Sequence, residues 1–83
     1  IYYVYVVDEQ RRLRGVVSLR ELILARKGTP VSALVEGNVV AVRDTDDREK
    51  AAHEFGEYDL LAMPVVDAEG RLVGIITSDD VLD

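Results

Sequence analysis

The 83-residue chain contains no cysteine and no tryptophan. Without cysteine there are no disulfides and no thiolate metal ligands, a composition that fits a reducing compartment. His53 is the single histidine, and Ser18, Ser32 and Ser78 have no evident histidine–acid partner nearby in sequence. No catalytic residue is therefore assigned, and no enzyme activity is expected. No apolar run approaches the roughly 20 residues that span a bilayer. No charged-then-apolar leader opens the chain, so direct membrane insertion of this stretch is not expected. Positive charge is also short: 10 Lys and Arg stand against 16 Asp and Glu, a formal net charge of −6. Nucleic acid selects the opposite balance, so it is excluded as a partner. Solubility accounts for excess acid as readily as cation binding does. A chain of this length forms one small domain and buries only about 60% of its unfolded surface.

What is present is a series of short apolar runs divided by polar turns. "IYYVYVVD" suits a buried strand, and it begins with no cap or turn before it, as an excised fragment would. "DEQRRLRG" has hairpin-turn polarity, and Leu13 to Val17 is a second strand. Leu19, Leu22 and Ile23 fall at helical spacing, with Gly28 and Pro30 ending the helix. "VSALV" is a short helical turn, and Val39 to Val42 a β-branched strand. "DTDDREKAAHEFGEY" is a helix with an acidic start, in which Asp46-x-x-Glu49 has capping-box spacing. Ala51, Ala52 and Phe55 make its apolar stripe. Gly56 weakens it by about 1 kcal/mol relative to Ala, so a packing or ligand reason is expected. "LAMPVVD" and "RLVGIIT" are strands around an "AEG" turn, and "SDDVLD" opens a last helix.

This order contains a repeat. "VVDEQRRLRGVVSLREL" from Val6 aligns with "VVDAEGRLVGIITSDDV" from Val65 at a constant offset of 59 residues. Asp8 meets Asp67, Gly15 meets Gly74, Ser18 meets Thr77 and Glu21 meets Asp80. Such a period marks two copies of one supersecondary unit. The second copy, residues 29–83, is a complete β-α-β-β-α unit of a mixed α/β (α+β) fold. The first, residues 1–28, is truncated at its N-terminus, which predicts a partner chain to bury the exposed sheet.

Thr77-x-x-Asp80 and Ser18-x-x-Glu21 both have the form of a helix capping box, which is sufficient by itself to explain them. A helix start also attracts phosphate. Near Thr77, however, Asp79, Asp80 and Asp83 crowd carboxylates onto one helix face. Asp44, Asp46, Asp47 and Glu49 open the preceding helix, and Asp59 closes it beside the Gly56 carbonyl. Hard oxygen ligands of this kind suit Mg²⁺ or Ca²⁺, and Mg²⁺ typically keeps several waters with one or two carboxylates. A solvated acidic first turn is the plain alternative.

The residues "MPVVDAEGRLVGIITSDDVL" and "YVVDEQRRLRGVVSLREL" resemble a CBS-domain pair, the module named after cystathionine β-synthase. Within that family the chain is most similar to the cytosolic part of MgtE-type magnesium transporters. The closer match rests on "YYVYVVDEQRRLRGVVSLRELILA" and "EYDLLAMPVVDAEGRLVGIITSDDVLD". The resemblance implies a homodimerising regulatory module on the cytoplasmic side of the cell membrane. It would join other cytosolic and transmembrane domains of the same transporter, with Mg²⁺ between acidic faces favouring a closed pore. It carries Mg²⁺ contacts onto Gly56, Asp59, Asp80 and Asp83, and also onto Asp47 and Glu49. It places ATP, more weakly, at Tyr3, Ser18, Arg20, Glu21 and Thr77. Glu21 stands where that pattern has Asp, and Leu60 where it has an aromatic residue. The alternative from another class is an adenine-nucleotide-binding CBS module attached to a soluble enzyme such as an IMP dehydrogenase.

Overall fold

The computed structural model of the chain describes residues 2–82, with side chains through residue 80. Strand β1 (Tyr3–Val7) turns back into β2 (Leu13–Ser18), which runs directly into helix α1 (Leu19–Leu24). A 3₁₀ turn (Val31–Ala33) leads to strand β3 (Val42–Arg43) and helix α2 (Arg48–Tyr58). Strands β4 (Ala62–Val66) and β5 (Leu72–Thr77) and helix α3 (Ser78–Leu82) complete the chain. The α+β class is as expected, with β3-α2-β4-β5-α3 forming the complete unit. One sheet is the antiparallel pair β1-β2, and the other has the order β3-β4-β5 with β3 parallel to β4.

The two hairpins are built alike. Each register shifts at the same repeat position, between Val6 and Val7 and between Val65 and Val66. In each turn an aspartate gathers the chain. Asp8 accepts the N–H groups of Gln10 and Arg12 and the Arg12 Nε at 2.9 Å. Asp67 accepts the N–H groups of Glu69 and Arg71 and the Arg71 Nε at 2.7 Å. Both turns need one left-handed residue. The second supplies Gly70 (φ 80°), whereas the first places Arg11 there (φ 67°), a conformation strained for a side chain with a Cβ. The turns meet back to back. Leu13 N–H donates to Gly70 O and Leu72 N–H to Arg11 O, both at 2.9 Å, around an Arg12–Arg71 bridge. These bonds join the two sheets and relate the halves by a local quasi-two-fold.

The core lies under α2. Ala51 and Phe55 press onto Val42 and Met63, with Val40, Ala52, Leu60, Val65 and Ile76 around them. The apolar stripe expected from the sequence faces inward, while Tyr58 at the end of α2 is 54% exposed.

Three local expectations are corrected. The strand expected over Val39 to Val42 is regular only at Val42–Arg43. Val42 pairs with Val65, and the next residue back along β4 is Pro64, which offers no N–H to extend a ladder towards Val40. The capping box expected at Asp46 and Glu49 does not form, and the helix is capped one residue later by a single side-chain bond. Asp47 is the N-cap and its side chain accepts Lys50 N–H, while Asp46 Oδ2 accepts Arg43 N–H at 2.8 Å. Helix α1 ends at Leu24, ahead of Gly28, because Ala25 turns to an extended conformation (ψ 149°).

Candidate functional site

Both capping boxes form. Ser18 Oγ accepts Glu21 N–H at 3.1 Å, and Glu21 Oε1 accepts from Ser18 N–H and Ser18 Oγ at 3.3 and 3.0 Å. Thr77 Oγ1 accepts Asp80 N–H at 3.4 Å, and Asp80 Oδ2 accepts from Thr77 N–H and Thr77 Oγ1 at 3.2 and 3.0 Å. In each case one carboxylate oxygen is spent on the cap. Glu21 Oε2 and Asp80 Oδ1 stay outside these bonds, so a capping acid still presents one oxygen outward.

Asp80 is brought to the start of α2. A cleft of about 280 Å³ lies between α2 and α3, with Asp44, Asp46, Asp47 and Asp80 on its walls and Val42, Val65 and Ile76 beneath. Arg43 and Arg48 also line it. Asp46 is the most engaged acid here. Its bond from Arg43 N–H holds the carboxyl below its ordinary value, assisted by Lys50, whose Nζ lies 3.4 Å away. Asp44 lies 3.7 Å from Arg43 Nε, and Asp47 is committed to the helix cap. Asp47 and Asp80 are exposed. The sequence singled out Asp47, Glu49 and Asp80 as ligands. Asp47 and Asp80 do line the cleft, together with Asp44 and Asp46 of the same acidic run, whereas Glu49 does not.

Gly56 and Asp59 lie at the other end of α2, roughly 15 Å from Asp47 on a helix rising about 1.5 Å per residue. Asp59 is the C-cap in a left-handed conformation (φ 52°, ψ 47°), and its N–H donates to Phe55 O. Short acids tolerate that region better than most residues. A Cβ on Gly56 would meet nothing within 4 Å, so packing gives no reason for glycine there. Asp83 lies outside the described residues. Among the described residues no three acidic or histidine side chains converge to hold a metal ion. The candidates fall into two exposed groups, one at each end of α2.

The nucleotide candidates are also divided. Tyr3 lies across the hairpin from Ser18, so Tyr3, Ser18, Arg20 and Glu21 share one end of β1-β2. Tyr3 lines a pocket of about 190 Å³ between the two sheets, with Tyr5, Asn38, Val40, Leu60 and Pro64. Ser18 and Arg20 line a different groove of about 610 Å³, beside Tyr2, Leu19, Ile23 and Leu24. Thr77 belongs to the other unit and lines neither. Tyr5 was not among the sequence candidates, yet it stands two residues from Tyr3 on the same strand face. Burial, with Tyr3 adjacent, raises the Tyr5 hydroxyl above its ordinary pKa. Leu60 does stand in the pocket with Tyr3, but as an aliphatic wall rather than a second ring.

A family model for the CBS domain matches residues 1–28 and 31–83. The chain belongs to the CBS-domain family. This CBS chain is 55% identical, over 100% of its length, to magnesium transporter MgtE of Thermus thermophilus. It is 45% identical, over 100% of its length, to magnesium transporter MgtE of Enterococcus faecalis. It spans 18% of the length of each of those relatives. A crystal structure of the cytosolic domain of the Mg²⁺ channel MgtE in complex with ATP superposes with a TM-score of 0.93 at 55% identity. That match covers 100% of the CBS chain and 34% of the solved one. Among the described residues no helix is long and apolar enough to cross a membrane.

Proposed function

We propose that this CBS chain is part of the cytosolic regulatory module of a magnesium transporter or channel, and that it senses Mg²⁺ through exposed carboxylates. The observation that carries the reading is the acidic cleft, where α3 brings Asp80 to the aspartates that open α2. Its likeness to MgtE proteins over the whole chain supports the same reading. The donor set fits the ion. The oxygens are hard, exposed and sparse, as suits Mg²⁺ held through one or two carboxylates and water. Asp80 Oδ1, Asp47 and Asp59 are the donors this chain would offer, with Glu49 in the first turn of α2 and Asp83 a further candidate from the sequence. Each group lacks enough ligands for a closed site, so the remainder comes from a facing surface, either a second copy in a homodimer or another domain of the same protein.

The mechanism is electrostatic. Facing acidic surfaces repel without cation, and the module stays apart from its neighbours. Mg²⁺ shared across the gap removes that repulsion and draws the surfaces together, and linked segments pass the motion to the pore. The ion shifts the equilibrium only as far as it prefers the compact state. Screening by monovalent salt weakens the repulsion too, but without the geometric demand of shared ligands.

A second reading, adenine-nucleotide binding, is favoured by the Tyr3 pocket, whose apolar walls and ring offer a stacking face. Glu21 being folded onto Ser18 weakens it. Calorimetric titration of the intact cytosolic region with Mg²⁺ and, separately, with ATP distinguishes the readings. Mg²⁺ heat lost in Asp80→Asn supports the cation reading. ATP heat lost in Tyr3→Ala, with no Mg²⁺ heat at all, would replace it.

A further inference from the structure

The quasi-two-fold sets repeat mates against each other. Tyr3 and Tyr5 of β1 and their mates, Ala62 and Pro64 of β4, line one pocket between the two sheets. Two rings on one side and two small side chains on the other leave about 190 Å³ open. Leu60 and three valines make most of the remaining wall, and no lining side chain is charged. The pocket therefore suits a flat, neutral group.

Asn38 joins this wall through a segment that crosses the outer edge of β2. Val16 faces Tyr5 across β1-β2, and on its other side Val16 N–H donates to Glu36 O at 3.0 Å and Glu36 N–H to Val16 O at 2.9 Å. Gly15 admits the segment, because a Cβ there would run into the Val35 side chain and the Glu36 carbonyl. A Cβ on its mate Gly74 would meet nothing within 4 Å. Glu36 Oε1 then accepts Asn38 N–H at 3.0 Å, which fixes the backbone where Asn38 meets the pocket.

Two polar side chains in this apolar slot have hydrogen-bonding capacity to spare. Among the described residues, neither the Tyr5 hydroxyl nor the Asn38 side-chain amide has a hydrogen-bond partner. Tyr5 is half-buried, and burial, with Tyr3 adjacent, raises its pKa, so the hydroxyl stays a donor. Polar groups in such surroundings ordinarily find partners. A planar ligand with donors and acceptors along one edge would satisfy both.

We propose that Tyr5 and Asn38 read the edge of a nucleotide base held against Tyr3, and that they select a 6-aminopurine over a 6-oxopurine. This selection rests on the second reading above, adenine-nucleotide binding, and adds the residues that choose the base. The Asn38 carbonyl accepts the exocyclic amine while its N–H donates to the neighbouring ring nitrogen, the two-point pairing that asparagine makes with adenine. Tyr5 O–H donates to a further ring nitrogen. A 6-oxopurine presents two acceptors at the same edge, and either orientation of the amide then sets its carbonyl against one of them.

Calorimetric titration of the intact protein with ATP and, separately, with GTP tests this. ATP binds on the order of 10-fold more tightly than GTP in the unaltered protein. Asn38→Leu abolishes the preference and Tyr5→Phe narrows it. A merely structural role at either position would weaken both nucleotides alike, so the ratio of the two affinities decides. Equal affinities in the unaltered protein, or a ratio unchanged in either variant, overturns base selection and leaves nucleotide binding standing. No heat with either nucleotide in the unaltered protein overturns both together.

Discussion

Val4 and Met63 hold the same place in the two repeats, yet Val4 is 43% exposed and Met63 is fully buried. The hairpins beneath them share turn, bulge and cap, so the difference comes from what lies above. Met63 has α2 over it, contributed by its own unit, while β1-β2 has only the short helix α1 and exposes Tyr2, Ile23 and Leu24 by 75%, 72% and 69%. Charge divides in the same way. Of the 16 acidic residues three lie in residues 1–28, and of the 10 basic residues six do. The complete unit thus carries most of the core and most of the acid, with Val17 the buried hydrophobic residue of the other half. Most of the packed core and the candidate cation ligands sit in one half, and the other half offers an apolar, mildly basic surface.

The sharpest way to break this comparison is to remove a large side chain from each half. Phe55→Ala, under α2, lowers unfolding stability by about 3–5 kcal/mol, while Val4→Ala costs under about 1 kcal/mol. Chemical denaturation measures both, and equal losses would mean that the two halves are covered alike. Next come the glycine mates. Gly15→Ala costs about 1–3 kcal/mol through overpacking against Val35 and Glu36, whereas Gly74→Ala in this chain alone gains a few tenths to about 1 kcal/mol of strand stability. The hairpin turns differ by less. Arg11→Gly relieves the left-handed strain that Gly70 avoids and raises stability by about 0.5–1 kcal/mol, read as an increase in Tm.

The smallest expected effect is in acid. Partial burial works against the Asp8 and Asp67 carboxylates, but bonds from Arg12 and Gln10, and from Arg71 and Glu69, hold both below their ordinary value of 3.8. Asp46 is held below it as well. Lowered folded values mean these carboxylates contribute stability above pH 3.8, which is lost as the pH falls further. Unfolding midpoints should stay flat from neutral pH to about 5 and drop below that. Asp8→Asn and Asp67→Asn should each flatten the drop, and an unchanged acid limb in both would show that the turns carry no such linkage.

Much of this fold was legible because the repeat states it twice. "VVDEQRRLRG" and "VVDAEGRLVG" carry the same hairpin pattern, and "RLVGIIT" reads as a strand in the sequence as in the structure. The failures were local and came from backbone chemistry that residue patterns carry weakly. Val39 to Val42 looked like a strand from β-branching alone, but Pro64 on the neighbouring strand shortens the ladder. Asp46 and Asp47 are equally good caps by type, and only the bond from Arg43 N–H decides which one opens the helix. At the candidate site, the carboxylates were legible as residues. Which end of α2 Asp80 joins was not, because it depends on how α3 folds back towards Asp44 and Asp47.

Mg²⁺-dependent compaction of the intact cytosolic region, followed by small-angle scattering, tests the central claim most directly. The radius of gyration should fall as Mg²⁺ is added to the native protein, and the fall should weaken in Asp59→Asn and Asp80→Asn with folding unaltered. Full compaction in the double variant would contradict the account.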